Sequence, residues 1–192
     1  MTLFWMLRSK KGQSLIELML IAPLMMALTF GAIEVGSVIS TYLTMSHTTR
    51  EGANLASRGT PPVQALAAIV AAAAPTLSTA NQTQWKIIYS RIIQDPGNQP
   101  AAEPYNFIVD NTKPDGQLSS LTGTLNKASK LGTPGTPVTQ AILPGIQNVK
   151  SGQSFHVIEV FFDYAPSIIT YVGKGINTDL YERTIFTDVN GS

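Results

Sequence analysis

Apolar positions run almost unbroken from Leu15 to Leu43, and between Glu17 and Arg50 the only charged residue is Glu34. A run this long with no charge at its centre predicts a helix able to cross a bilayer, which takes ~20 residues. Lipid offers the backbone no partners, so a helix that satisfies its own N–H and C=O groups is the natural solution. The helical pattern continues from Gln13 to about Ser57. That is about 70 Å of helix, roughly twice a bilayer core, so the outer half should leave the lipid and pack on something. There Ser37, Ser40, Thr41, Thr44 and Thr48 form a polar stripe, with Val38, Tyr42 and Met45 between them. Pro23 has no N–H to offer Met19, which predicts a kink or a loosened turn.

The period then changes. Gly59-Thr60-Pro61-Pro62 ends the long helix, and alanine-rich Val63–Ala74 reads as a shorter one stopped before Pro75. Gln84–Gln94 reads as a strand with Trp85, Ile87, Tyr89 and Ile93 on one face and Arg91 breaking it. Asp95-Pro96-Gly97-Asn98 is a turn, and Tyr105–Val109 a short strand. Residues 111–151, rich in Gly, Thr, Ser, Pro and Asn, predict a long insertion, either a mobile loop or a surface excursion. Ser154–Tyr164 alternates Ile158, Val160, Phe162 and Tyr164 with Glu159, Phe161 and Asp163, the carboxylates reading as a solvated face. Pro166 ends that strand. Apolar Ser167–Val172 leads to a turn at Gly173-Lys174-Gly175, and Tyr181–Val189 is a last strand. The expected fold is α+β: an antiparallel sheet of three or four strands whose apolar face the long helix covers.

Charge refines the picture at the N-terminus. Arg8, Lys10 and Lys11 precede the apolar run and should hold that end in the cytoplasm. A secretory signal would carry a small-residue cleavage site after its core, and none stands there. Instead Gly12, then Gln13, then the lone carboxylate Glu17 lie before the core. This arrangement resembles a type IV prepilin signal. The resemblance implies a cut between Gly12 and Gln13 by a membrane-embedded prepilin peptidase. It also implies that Glu17 serves assembly by meeting the new amino terminus of a neighbouring subunit. A carboxylate at membrane depth costs up to ~3 kcal/mol, so a partner charge is welcome there.

More of the stalk narrows the likeness. Q-S-L-I-E-L-M-L-I-A-P-L, F-G-A-I-E-V-G and T-T-R-E-G-A-N-L-A-S-R-G resemble the TadE-like pilins of tight-adherence (Tad) systems. Pro23, Phe30-Gly31, Glu34 and Arg50-Glu51-Gly52-Ala53 carry the match, which resumes weakly at Val157–Pro166 and Arg183. The resemblance implies a pilin-like fold: a leader over 1–12, a transmembrane and projecting stalk over 13–58, and a small outward domain over 59–192. It implies a minor pilin, or pseudopilin, used in adhesion or secretion. Its partners would be the peptidase, other pilin subunits, the Tad assembly platform and inner-membrane lipid. The alternative is a signal-anchored binding domain that never enters a filament.

Two further stalk features remain open on sequence alone. Ala32, Gly36 and Ser40 are four apart, as are Ala27 and Gly31, a spacing that lets helix backbones approach closely or that reflects ordinary small-residue usage. Glu34 falls in the last turn of the span, where it either reaches water or makes a polar contact between subunits.

Composition excludes several classes. There is no cysteine, hence no disulfide framework and no thiolate chemistry, which is compatible with a periplasmic domain. Net charge is +1; losing residues 1–12 removes three cations and leaves ten basic and twelve acidic residues, or −2. No basic patch suits nucleic acid. His47 and His156, the only histidines, lie in a helix and a strand without cysteine between them, so a zinc site is not expected. No nucleophile elbow, phosphate loop or dinucleotide fingerprint is present, so neither enzyme activity nor a cofactor is expected.

Overall fold

A computed structural model describes residues 10–74, 76–77, 79–100, 105–119, 123–144, 146, 152–165 and 178–188, with the side chains of 10–13, 79 and 80 outside that description. Arg8, Pro75, Pro166, the Ser167–Val172 segment and the Gly173-Lys174-Gly175 turn lie outside the described residues. The elements are α1 (Lys10–Ser57), α2 (Pro62–Ala72), a 3-10 turn (Thr79–Gln84), β1 (Trp85–Gln94), β2 (Phe107–Val109), β3 (Gln117–Leu118), β4 (Pro137–Val138), β5 (Phe155–Tyr164) and β6 (Thr178–Thr187). The chain divides into two compact units, Met1–Ser40 with Pro166–Ile176, and Thr41–Ala165 with Asn177–Ser192.

In the first unit the described residues are helix. Pro23 sits inside α1, which is assigned without interruption through it. Large apolar side chains stand in the open: Leu18, Met19, Leu20, Leu24, Met25 and Met26 are all more than half exposed. Two hydroxyls among them turn inward. Thr29 Oγ1 donates to Met25 O at 2.8 Å and Ser37 Oγ to Ile33 O at 3.0 Å. Such bonds to the preceding turn leave no donor bare in an apolar surround.

In the second unit the sheet is six-stranded and wholly antiparallel, ordered β4-β2-β1-β5-β6, with β3 pairing β1. It is larger than the expected three or four strands. The additions are β3 and β4, two residues each, contributed by the insertion.

One face of this sheet is covered by helix. Met45, Ala53 and Ala56 of α1 and Ala65, Leu66 and Ile69 of α2 pack with Trp85, Ile87, Tyr89, Ile158 and Val160. Fully burying each large apolar side chain stabilises by about 1.5–3 kcal/mol. A Cβ on Gly52 would collide with Ile69 Cδ1, so the two helices cross on a bare backbone. The end of α1 is set by Gly59 at φ +85°, with Gly59 N–H donating to Ala56 O and Thr60 N–H to Leu55 O. That is a Schellman cap, which only glycine enters cheaply. Pro62 at the start of α2 has the helical φ built in.

Of the polar stripe expected on α1, Ser37 and Ser40 are exposed and Thr41 and Thr44 half-buried, but its last member turns into the core. Thr48 and Thr49 are buried, their hydroxyls bonded to Thr44 O and Ser46 O. Thr49 Oγ1 also accepts from Thr184 Oγ1 of β6 at 2.8 Å. Hydroxyls whose bonds close locally can face a core, so polarity alone misplaces the helix by part of a turn.

The other sheet face was expected to meet water and does not. Ile88, Ser90, Ile92, Phe155, Val157 and Glu159 share it by register, and all are buried. The insertion covers it. Leu131, Val138, Leu143 and Ile146 pack with Ile92, Phe107, Val109, Phe155 and Val157 in a second core. The described part of the insertion is thus neither a floppy loop nor a surface excursion, but a strap that closes a third layer.

Candidate functional site

Glu17 is exposed on α1 among exposed Leu15, Ile16, Leu18 and Met19. Lys10, Lys11, Gly12 and Gln13 form the first turn of the same helix, and only their backbone is described. Ala32, Gly36 and Ser40 are exposed, and a Cβ added at Gly36 or Gly31 would meet nothing within 4 Å. Glu34 differs from all of these. It is 6% exposed while its neighbours Ile33 and Val35 are 53% and 59% exposed. Glu17 and Glu34 therefore stand in opposite settings on the stalk, one open and one enclosed. Among the described residues, α1 is the one helix long and apolar enough to cross a membrane.

The second unit holds two polar clusters. Glu159 is fully buried at the middle of β5. Its Oε1 accepts from Tyr181 Oη at 2.8 Å and from Lys130 N–H at 3.0 Å, and its Oε2 accepts from Ser129 Oγ. Lys130 Nζ lies 3.5 Å above the centre of the Tyr181 ring. A buried carboxylate is tolerable only when so bonded. Burial first, then the Glu159 charge, pushes the Tyr181 hydroxyl well above its usual value, so it stays a proton donor. The expectation of a solvated Glu159 is corrected for this reason: three donors replace the water. A signal for it existed. V-I-E-V-F-F is apolar on both alternations, which points to a strand buried on both faces.

The second cluster lies at the opposite sheet face. Tyr89 Oη and His156 Nδ1 are 2.8 Å apart, and His156 Nε2 is 3.7 Å from Asp188 Oδ2. Arg91 lies beside Asp110 at 3.6 Å, and its Nη2 donates to Ser154 Oγ at 3.5 Å. Tyr89, Arg91, His156 and Asp188, with Lys113, Asp115 and the Gly59–Pro62 turn, line an open cleft of about 260 Å³. Burial pushes the His156 imidazole below its ordinary value, against the pull of Asp188. Among the described residues no group of three or more His, Asp or Glu could hold a metal ion. Sequence alone did not associate these residues, since 97 positions separate Arg91 from Asp188.

The apolar helix and its carboxylates coincide with the stretch that known proteins share. Residues 12–54 match the family model of TadE-like proteins. The likeness read from the sequence is thereby shown over the stalk. No curated protein and no solved structure matches the chain. The weaker resemblance at Val157–Pro166 and Arg183 lies outside the matched residues. The TadE-like segment contains Glu17, Glu34, the small-residue positions and Gly52-Ala53, and it is a single helix. Its last part supplies Met45 and Ala53 to the helical cover of the sheet. The strap and both polar clusters of the second unit fall outside it, apart from what α1 itself contributes.

Proposed function

We infer that this chain is a minor pilin, or pseudopilin, of a Tad-type pilus or secretion machine, and that it is not an enzyme. The observation that carries the reading is the state of the TadE-like helix. It presents a continuous row of large apolar side chains from Leu15 to Leu43 to the outside, with one carboxylate near its start. Such a surface needs lipid before assembly and neighbouring helices after it. In this reading a prepilin peptidase cuts between Gly12 and Gln13. The basic residues Arg8, Lys10 and Lys11 hold the leader in the cytoplasm, and the second unit faces outward from the inner membrane. Glu17 then accepts the freed amino terminus of the next subunit, and its cost near lipid favours that pairing. Ala32, Gly36 and Ser40, open on the isolated helix, are contact points for adjacent stalks, whereas Glu34 is enclosed within the single chain and is not offered to a neighbour. The 134 residues after Arg58 suit a priming, tip or accessory subunit better than a bulk polymer built from stalks.

Mass spectrometry of the purified protein should find Gln13 at the amino terminus. An intact Met1 in cells with an active prepilin peptidase would replace this reading with a signal-anchored binding domain. Glu17→Ala should leave insertion and processing intact but abolish incorporation into pili; normal piliation would remove the assembly role.

A further inference from the structure

The two ends of the sheet differ in what they can present. α1 enters the second unit at Thr41, and the Tyr42 hydroxyl bonds Glu182 of β6. Farther on, Thr49 meets Thr184, and Ala56 shares a cleft with His156, which pairs with Phe186. This part of α1 therefore runs along β6 toward Thr187. The loop joining β1 to β2 lies at the Thr187 end, because Phe155 pairs with both Thr187 and Ile92. It stands at the opposite end of the sheet from the point where α1 enters.

An open pocket of about 280 Å³ lies at this loop, between it and the β2–β4 pair. Among the described residues its lining is of two kinds. Tyr105, Pro137 and Ile146 offer apolar surface, whereas Asn98, Thr139 and Gln140 are polar and uncharged. No cation lines it, and the one carboxylate, Asp95, already accepts from Gly97 N–H at 2.9 Å. The loop is held in shape by its own side chains. Gln99 Nε2 donates to Asp95 O at 2.8 Å and to Asn106 O at 2.7 Å, and Asn106 Nδ2 donates to Asn98 O at 2.6 Å. A wall fixed in this way costs little to order when a ligand arrives. Asn98 and Gln140 themselves are exposed, and their side-chain amides make no bond to another described residue.

The lining selects a ligand class. A charged ligand would find no counter-cation and only one carboxylate, and would lose its hydration without return. A hexopyranose is uncharged, with C–H groups on its faces and hydroxyls around its rim. The negative face of the Tyr105 ring attracts such C–H groups. Side-chain amides and hydroxyls both donate and accept, as sugar hydroxyls do. Pockets for drug-sized molecules start at ~300 Å³, so this one suits a single ring. We propose that the pocket binds a neutral hexopyranose. The site belongs to the second unit alone and stands whether or not the leader is cut.

The test is saturation-transfer NMR on the full-length protein in phospholipid nanodiscs, free of glycosidic detergent. Methyl glucoside, methyl galactoside and methyl mannoside are the ligands. At least one should receive saturation at its ring protons, with half-saturation on the order of 1 mM. Tyr105→Ala should abolish the transfer. Because Tyr105 also rests on the second core, Asn98→Ala/Gln140→Ala is the second variant. It alters exposed side chains only and should weaken binding about tenfold, two hydrogen bonds being lost. Lys113→Ala, at the cleft beside His156, should change nothing. Saturation of none of the three glycosides, binding unaltered in the double variant, or binding lost in Lys113→Ala would overturn the proposal.

Discussion

The two faces of the sheet reach the same degree of burial by different means. On one, Trp85, Ile87, Tyr89, Ile158 and Val160 meet helices through apolar contacts. On the other, a strap poor in regular structure is held by a few large apolar side chains and by the bonds to Glu159. A helix satisfies its own backbone and can be laid on a sheet by its side chains alone. A strap cannot, and must find its partners in the sheet. Gln117 shows the pattern: its Nε2 donates to Ser90 Oγ at 3.0 Å and to Gly132 O at 2.9 Å, tying strap to strand. The helix face should therefore respond to lost volume, and the strap face to lost hydrogen bonds.

The largest effect is expected on the helix face. Trp85→Ala removes the bulkiest fully enclosed side chain of that core and should cost about 3–5 kcal/mol. Urea unfolding of the full chain in detergent, followed by circular dichroism, would measure it. A loss below about 1 kcal/mol would mean that the helices do not close tightly over this strand.

On the strap face Glu159→Leu keeps the bulk and deletes the acceptors. Ser129, Lys130 and Tyr181 lose their common partner, and the expected cost is about 3 kcal/mol. Hydrogen exchange separates this from a general loosening. Amides of 123–146 should lose protection while those of 45–57 keep theirs, since local opening follows local contacts. Equal loss on both faces would sink the claim that the strap is a separately held layer.

The contrast between the faces also explains what was legible beforehand. The helix face obeys simple periods. Strand alternation put Trp85, Ile87 and Tyr89 together, and the long apolar run set α1, so fold class and stalk could be read directly. The strap's register rests on single bonds between distant residues, such as Ser129 and Lys130 to Glu159, and no local period encodes them. Its glycines and prolines signalled turns correctly, at Gly132 and Gly135 for instance, where φ is +98° and +86°. They could not signal that Leu131, Leu143 and Ile146 between and beyond them are core residues. On the stalk, the exposure of Glu17 could be anticipated because it stands at the mouth of an apolar run. The enclosure of Glu34 could not, because burial depends on what the fold brings beside it.

A middling effect belongs to the helix crossing. Gly52→Ala drives a methyl group into Ile69, which can yield only by shifting its own side chain within the core. Overpacking of this kind should cost about 1–3 kcal/mol. Ile69→Val in the same chain should recover part of that loss by making room, whereas Ile69→Val alone should destabilise. Additive losses in the double variant would show that the two residues do not share the space.

The smallest effect tests the polar end of the helix face. His156 faces Tyr89 and Arg91 from β1, Asp188 beyond β6, and Lys113 and Asp115 across the cleft, with Asp110 behind Arg91. Its imidazole titrates below the ordinary 6.5 because burial disfavours the charged form. The folded chain then binds fewer protons than the unfolded chain just below pH 6.5, so stability rises with pH there. Put the other way, stability is full above 6.5 and is lost as pH falls from 6.5 toward the lowered folded value. The slope is at most one proton, smaller than any effect above. His156→Gln keeps a polar partner for the Tyr89 hydroxyl and removes the titration, so the stability of this variant should change less between pH 7 and 5.5. Carboxylates titrate in both proteins and cancel in the difference. If the natural chain instead gains stability relative to the variant as pH falls, then the 3.7 Å approach of His156 to Asp188 tightens on protonation and outweighs burial. The cleft end would then behave as the strap face does, held by charge-assisted bonds.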